Sequence, residues 1–236
     1  MTGIVLIPGL LSDGTVWQAV AREFGSRTEI ADLTQDTSIE AMAKGLLERN
    51  AGDIIAIGHS LGGRVAMEMA RQAPARLRGL VLANTGHNGG TRAELPKRHA
   101  RIAMGHDNME KLADDWLPPM VAPARRQDAE LMGTLRAMVL RHDADIHERQ
   151  IHALIGRPDA AAYLPMITCP ILLLAGTEDG WSPVAQHREI AAMAPDTTLE
   201  VIAGAGHFMP LEKPGETAVA IVNWLNRKGL AHGRQD

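Results

Sequence analysis

The chain has 236 residues, of which 45% are hydrophobic and 22% are charged, and its formal net charge at pH 7 is −4. This length fits one large α/β domain or a core with an inserted subdomain. The negative charge gives no general attraction to nucleic acid or to anionic membranes, so we expect neither as a partner. Cys169 is the one cysteine, which excludes an internal disulfide and is compatible with a reducing cytosol.

The first nine residues contain a short apolar run that is broken at Pro8, and they lack the basic residues that open a signal peptide. The run is also too short to span a membrane. We therefore interpret residues 4–7 as a first strand and expect a cytoplasmic protein.

Strand and helix patterns alternate along the first third of the chain. Apolar runs predict strands at residues 4–7, 28–33, 53–59 and 77–83. Helical spacing of apolar residues predicts the segments between them, at residues 17–24, 38–50 and 61–72. Such alternation predicts a parallel sheet with helices on both faces.

The pattern changes in the middle of the chain and then returns. Residues 86–163 lack strand-like runs and contain helical stretches near residues 93–104, 109–116, 124–140 and 145–155. After them come strand patterns at 169–176 and 198–203 and helix patterns at 184–193 and 217–225. We expect a core formed by residues 1–85 and 164–236, with residues 86–163 as a helical cap over the carboxyl edge of the sheet.

The segment Gly58-His59-Ser60-Leu61-Gly62 joins a strand pattern directly to a helix pattern. The two glycines permit a tight turn, because a Cβ at either position would collide where the strand and the helix cross. Ser60 stands at the apex and is a candidate nucleophile. On this segment alone, a glycine-rich turn that only packs helix on strand remains the alternative. His59 is expected to pack beside the nucleophile.

A serine nucleophile needs a general base and a third group that orients the base. In a parallel sheet such partners follow the carboxyl ends of other strands. The loop after the strongest apolar strand contains Asp179, and the loop after the last strand contains His207. We expect His207 to take the proton of Ser60 and Asp179 to accept the imidazole N–H, with Glu178 as the competing carboxylate.

Three motifs together resemble those of the α/β-hydrolases: the Gly-His-Ser-Leu-Gly elbow, Gly-x-x-Asp-x-x-x-Pro at residues 176–183 and Gly-x-Gly-His at residues 204–207. The resemblance covers nearly the whole chain except the helical insertion. It implies an α/β-hydrolase fold, which is a doubly wound, mostly parallel sheet with a helical cap. In this family the oxyanion hole uses two backbone N–H groups, and the matching positions here are Leu61 and Leu10.

The sequence departs from the family pattern at its start. The usual His-Gly before the oxyanion loop is Pro8-Gly9, so any anchoring role of that histidine is absent. The first apolar strand also begins almost at Met1, so we expect the antiparallel strands that usually open the fold to be missing. We therefore expect about six strands instead of eight.

Several apolar side chains near the proposed catalytic loops are candidates for lining a substrate pocket, namely Trp17, Trp181 and Met209. We expect no cofactor and no metal. Residues 141–147 combine histidine with aspartate, but their spacing fits no strong ligand motif, so a solvated helix start is the better interpretation.

The resemblance implies a carboxylic ester hydrolase that acts on a small-molecule ester through an acyl-enzyme. The runner-up is hydrolysis of a C–C bond in a carboxylated, β-diketone-like ring-cleavage product, or a related elimination. An arginine that faces the pocket would favour this second reaction. The candidates are Arg64 after the elbow and five arginines of the cap, and the sequence does not decide which of them point inward: Arg98, Arg101, Arg125, Arg126 and Arg136. Outside the enzymes, the fold can serve as a small-ligand receptor, which an intact triad argues against.

Overall fold

Six strands form one sheet in the computed structural model, which describes residues 2–230. They are β1 (Gly3–Ile7), β2 (Thr28–Ile30), β3 (Ile54–His59), β4 (Leu77–Ala83), β5 (Ile171–Gly176) and β6 (Thr197–Ile202). The strand order is β2-β1-β3-β4-β5-β6, and each of these neighbouring pairs is parallel. The predicted fold class and the predicted number of strands are thus confirmed.

Ten α-helices connect or cover the strands of the described chain. They are α1 (Gln18–Phe24), α2 (Ile39–Arg49), α3 (Leu61–Gln72), α4 (Leu95–Asp107), α5 (Met109–Trp116), α6 (Ala129–Val139), α7 (Ala144–Ile155), α8 (Val184–Met193), α9 (Met209–Glu212) and α10 (Pro214–Arg227). Helices α4 to α7 lie between β4 and β5 in the chain. None of the helices in the described range is both long and apolar enough to cross a bilayer.

The four inner strands β1, β3, β4 and β5 are buried on both faces of the sheet, and their side chains point alternately to opposite sides. On β3, Ile55 and Ile57 join the cluster that contains side chains of α1 and α10. The intervening Ile54 and Ala56 join the cluster that contains side chains of α2, α3 and α8. This double burial explains why the strands appear in the sequence as continuous apolar runs.

Two parts of the helical pattern differ from the prediction. The single helix expected at residues 124–140 is instead a 3-10 turn at Pro123–Arg125 followed by α6. Asp128, three residues after the turn, caps α6, because its carboxylate accepts a hydrogen bond from the N–H of Leu131 at 3.0 Å. The four-residue helix α9 was also missed, since a single turn has no apolar period to detect.

Candidate active site

The turn between β3 and α3 holds Ser60 in an unusual backbone conformation, with φ 53° and ψ −113°. A Cβ on Gly58 would lie 2.3 Å from the carbonyl oxygen of Gly62. A Cβ on Gly62 would lie 2.2 Å from the carbonyl oxygen of Ile7 on β1. Both contacts are with backbone, so neither clash can be relieved by a side-chain movement. Glycine is therefore required at both positions.

Hydrogen bonds from the neighbouring strand fix this turn. The N–H of Ser60 donates to the carbonyl of Ala83 at 2.9 Å. The hydroxyl of Thr85 donates to the carbonyl of Ser60 at 2.7 Å. Ala83 at the end of β4 and Thr85 just after it thus hold both the N–H and the carbonyl of Ser60. These bonds allow the strained conformation to persist.

His207 lies between Ser60 and Asp179. Its Nε2 is 2.9 Å from Ser60 Oγ, and its Nδ1 is 2.9 Å from Asp179 Oδ2. A carboxylate accepts hydrogen bonds, so Nδ1 carries the proton and Nε2 is free to accept the hydroxyl proton. Asp179 and His207 are almost completely buried. The three side chains that the sequence singled out therefore meet in one hydrogen-bonded chain.

Asp179 is surrounded by donors. Burial opposes its ionisation, but the charge and hydrogen bond of His207 outweigh that effect and hold the pKa of Asp179 well below its usual range. The N–H groups of Trp181 and Ser182 donate to Oδ1 at 2.8 and 3.0 Å. The amide of Asn84 donates to Oδ2 at 2.9 Å. A carboxylate held this way stays charged and does not rotate.

His59 also contacts the loop that carries His207. Its Nε2 lies 2.7 Å from the backbone oxygen of His207, so Nε2 must carry the donated proton. Burial and, next, the nearby His207 lower the pKa of His59 to about 3. His59 is therefore neutral at neutral pH. It holds the backbone of His207 in place, which agrees with its predicted packing position.

A buried carboxylate on α9 ties the His207 loop to the segment after α5. Glu212 Oε2 accepts from the N–H of Ala122 at 2.9 Å and from the N–H of Gly206 at 3.1 Å. The N–H of His207 donates to the carbonyl of Met120 at 2.7 Å. Burial raises the pKa of Glu212 against the opposing effect of these N–H groups.

A cavity of about 300 Å³ opens above Ser60. His207 and both positions expected to form the oxyanion hole, Leu10 and Leu61, line it. Leu61 is the first residue of α3, and the first N–H groups of a helix have no partner inside the helix. The rest of the wall has an apolar side and a cationic side. The apolar side comprises Leu112, Trp116, Met120, Ile151 and Leu154.

Of the three predicted pocket residues, Trp181 lines the cavity, whereas Trp17 and Met209 do not. Trp17 and Met209 are both fully buried in the core. The indole N–H of Trp17 donates to the carbonyl of Ile7 at 3.1 Å, which turns the ring beneath the sheet edge. The pocket prediction was wrong for these two because nearness in sequence to a catalytic loop does not decide which way a side chain points.

Asn84 and Glu212, which hold Asp179 and the loop of His207 in position, were not predicted from the sequence. Asn84 directly follows β4, so its place at the carboxyl edge of the sheet was a usable signal. Glu212 gave no signal, because its partner Ala122 is 90 residues away. The competing carboxylate, Glu178, is exposed, whereas Asp179 contacts the imidazole.

One group of possible metal ligands lies outside the cavity. His106, Asp145 and Glu148 place ligand atoms within 4.8 Å of one another on α4 and α7. His106 Nε2 is already 2.7 Å from Glu148 Oε2. A surface ion pair accounts for this arrangement. From the 141–147 segment, His147 lines the cavity, and His142 Nδ1 lies 3.1 Å from the carbonyl of Met138.

A parallel sheet of this order, with a serine on a strand–turn–helix elbow, defines a hydrolase of the α/β class. Residues 4–220 match the model of the Alpha/beta hydrolase family, and the chain belongs to that family. The predicted family is confirmed.

Among curated relatives, the chain is 29% identical over 243 residues to the pimeloyl-[acyl-carrier protein] methyl ester esterase of Photobacterium profundum, with 94% of each chain covered. It is 26% identical to a 2-hydroxy-6-oxononadienedioate/2-hydroxy-6-oxononatrienedioate hydrolase of a Pseudomonas species, covering 86% of this chain and 74% of the relative. Among solved structures, a malate-bound thermophilic esterase from Thermogutta terrifontis superposes with a TM-score of 0.88 at 26% identity, covering 97% and 90% of the two chains.

Proposed function

We propose that the protein is a serine carboxylic ester hydrolase with Ser60, His207 and Asp179 as its catalytic triad. The observation that carries the proposal is the pair of 2.9 Å contacts that join Ser60 Oγ to His207 and His207 to Asp179. The esterases among its relatives support the same class of reaction.

In the proposed mechanism His207 removes the proton from Ser60 as the oxygen attacks the acyl carbon of a small-molecule ester. The N–H groups of Leu10 and Leu61 stabilise the oxyanion that forms. His207 then protonates the departing alcohol, and an acyl-enzyme remains. Water activated by His207 releases the acid and restores Ser60.

The helices between β4 and β5 are proposed to act as the lid of the site. Residues of α4, α5 and α7 line the cavity, among them Arg101, Leu112 and Ile151. The lid therefore sets the size and charge of the acyl group that can reach Ser60.

The first test is covalent labelling with a fluorophosphonate, which reacts with activated serines. We expect stoichiometric labelling of the wild type at Ser60 and none in Ser60→Ala. Ser182→Ala is the matched control, because Ser182 lines the same cavity, whereas the imidazole of His207 is hydrogen-bonded to Ser60 and Asp179. Retained labelling in Ser60→Ala, or an unlabelled wild type, would remove Ser60 as the nucleophile.

The second test measures turnover of p-nitrophenyl acetate. Replacing His207 by Ala or Asp179 by Asn should lower kcat by about 10³-fold or more, because the base is lost or its tautomer is wrong. Near-UV circular dichroism checks that each variant retains its packing. An unchanged rate in His207→Ala would assign the base to another residue.

Hydrolysis of a C–C bond is the second candidate reaction, and it is favoured by the arginines that line the cavity. The related 2-hydroxy-6-oxononadienedioate/2-hydroxy-6-oxononatrienedioate hydrolase supports it as well. Comparing kcat/KM for a panel of esters with that for a carboxylated ring-cleavage diketone decides between the two reactions. A receptor would bind such ligands without forming product over hours.

A further inference from the structure

One side of the cavity is strongly cationic. Four basic side chains line it: Arg64 from α3, and Lys97, Arg98 and Arg101 from α4. Glu94 is the one carboxylate among the lining residues of the described chain. The charges on this wall are therefore unbalanced, and their sign favours an anion.

The carboxylate of Glu94 is already used by other partners. Arg157, which does not line the cavity, donates to both of its oxygens, at 2.7 and 3.0 Å. Arg98 donates to Oε2 at 3.1 Å. These contacts, with that of Arg157 the largest, lower the pKa of Glu94 to about 2. Glu94 is thus shared by Arg157 and Arg98, and within residues 2–230 it forms no ion pair with Arg64, Lys97 or Arg101.

Arg101 lacks an acceptor. Its Nη1 is buried and has no hydrogen-bond partner within residues 2–230. Buried guanidinium N–H groups are normally bonded, because leaving them without an acceptor after removal from water is costly. Within residues 2–230, the one carboxylate that lines the cavity, Glu94, pairs with Arg98 and Arg157 and not with Arg101.

The guanidinium of Arg64 has a hydrogen-bond acceptor for only some of its N–H groups within the described residues. It donates from Nη1 to the carbonyl of Asn88 at 2.8 Å, and no carboxylate pairs with it in the described structure. Burial, followed by the charges of Arg157 and Arg98, lowers the pKa of Arg64 to about 9. Arg64 remains charged at neutral pH, and the repulsion it experiences is the repulsion that a bound anion would relieve.

We propose that Arg64, Arg98 and Arg101, called here the arginine site, bind a carboxylate of the substrate. The preferred substrate is then an ester whose acyl part ends in a free carboxylate, as in the monoester of a dicarboxylic acid. Guanidinium groups suit this ligand because their paired N–H donors match the two carboxylate oxygens. A cavity of about 300 Å³ limits the substrate to a small molecule. The inference rests on the proposed function, because Ser60 lines the same cavity.

Kinetics with matched esters tests the substrate class. Monomethyl and dimethyl esters of succinic, adipic and suberic acid differ only in whether the distal group is charged. We expect kcat/KM of the wild type to be about 10- to 100-fold higher for the best monoester than for its diester, since a charge-assisted hydrogen bond contributes roughly that factor. A wild type that hydrolyses both forms equally well at every chain length would overturn the inference.

Arginine variants test the location of the site. In Arg101→Gln the monoester-to-diester ratio of kcat/KM should fall by about tenfold or more, mainly through KM of the monoester. Arg101→Lys keeps the charge but loses the paired N–H donors of the guanidinium, so it should give an intermediate ratio. Arg188→Gln is the matched control, because Arg188 is exposed on α8 and does not line the cavity. An equal loss for both esters in Arg101→Gln would contradict the proposed site.

Binding to Ser60→Ala separates this inference from the proposed function. Isothermal titration with adipate, and with adipamide as its neutral analogue, needs no serine chemistry. Binding of adipate that weakens in the Ser60→Ala/Arg101→Gln double variant supports the arginine site even if Ser60 proves unreactive. Ester hydrolysis by the wild type without any adipate binding would leave the proposed function intact and overturn the arginine site.

Discussion

At Ser60 the backbone conformation itself costs free energy. Its φ of 53° lies in a region that residues with a Cβ rarely adopt, and such positions cost about 1–3 kcal/mol. The cost is offset by the two hydrogen bonds that Ser60 makes with Ala83 and Thr85, which hold the turn. The hydroxyl is thereby presented to His207 at the price of local stability.

Ser60→Gly should therefore be more stable than Ser60→Ala. Both variants remove the hydroxyl, but only glycine adopts a positive φ without strain, so we expect a free energy of unfolding higher by about 1 kcal/mol. Urea unfolding of the two variants measures this difference. The same pair of substitutions at Ser182 should show the opposite order, because Ser182 has no positive φ. Equal stability of the two Ser60 variants would show that the turn is unstrained.

At the scale of single elements, α9 links the loop that carries His207 to the segment after α5. Glu212 uses one oxygen, Oε2, to accept both the Ala122 and the Gly206 N–H. Gly206 immediately precedes His207, so the position of the imidazole depends on this helix of four residues.

Glu212→Ala should lower the free energy of unfolding by about 2–4 kcal/mol, because it leaves two buried N–H groups without an acceptor. It should also lower kcat, since the His207 loop loses its support. Glu212→Gln retains a carbonyl oxygen for both donors and should stay within about 1 kcal/mol of the wild type. Denaturant unfolding and the kcat of each variant are the measurements. A Gln variant as unstable as the Ala variant would mean that the charge of Glu212 is what matters.

The elements differ in how far the sequence predicts them. Strand β4 and helix α5 have the predicted bounds, because long apolar runs and clear helical periods depend only on local residues. The strand patterns also predicted Asp179 and His207, because each of these residues lies in the loop that follows a predicted strand. The break before α6 and the role of Glu212 escaped prediction because each depends on a specific hydrogen bond. For Glu212 that bond reaches a distant residue.

Over the whole fold described, residues 2–230, the pKa values of four buried histidines are lowered, so these side chains are neutral at neutral pH. Burial is the largest cause in each case, and it lowers the pKa of His59 to about 3 and that of His147 to about 4. The pKa values of His87 and His187 are lowered as well. The unfolded chain binds these protons near pH 6.5, whereas the folded chain does not. Stability is therefore fully present above about pH 6.5 and falls as the pH drops toward 4.

His59 should account for a large share of this acid sensitivity between pH 7 and pH 5, about equal to that of His147, because the folded-state pKa values of both lie below 5. Its contribution corresponds to a loss of about 2 kcal/mol between pH 7 and pH 5. Urea unfolding of His59→Gln at both pH values should show that much less dependence on pH than the wild type. His99→Gln, at an exposed position of α4, is the matched control. A variant with the wild-type pH dependence would exclude His59 as the source.

The distribution of the site over the chain has a consequence for protein synthesis. Ser60 and His207 meet at 2.9 Å, although 147 residues separate them in the sequence. Ser60 leaves the ribosome before His207, and N-terminal segments fold first during translation. The histidine follows β6, which must pair with β5 before the imidazole can reach the serine. A nascent chain therefore carries the hydroxyl without its base, and the proposed esterase activity begins only after β6 and the loop that carries His207 have been made.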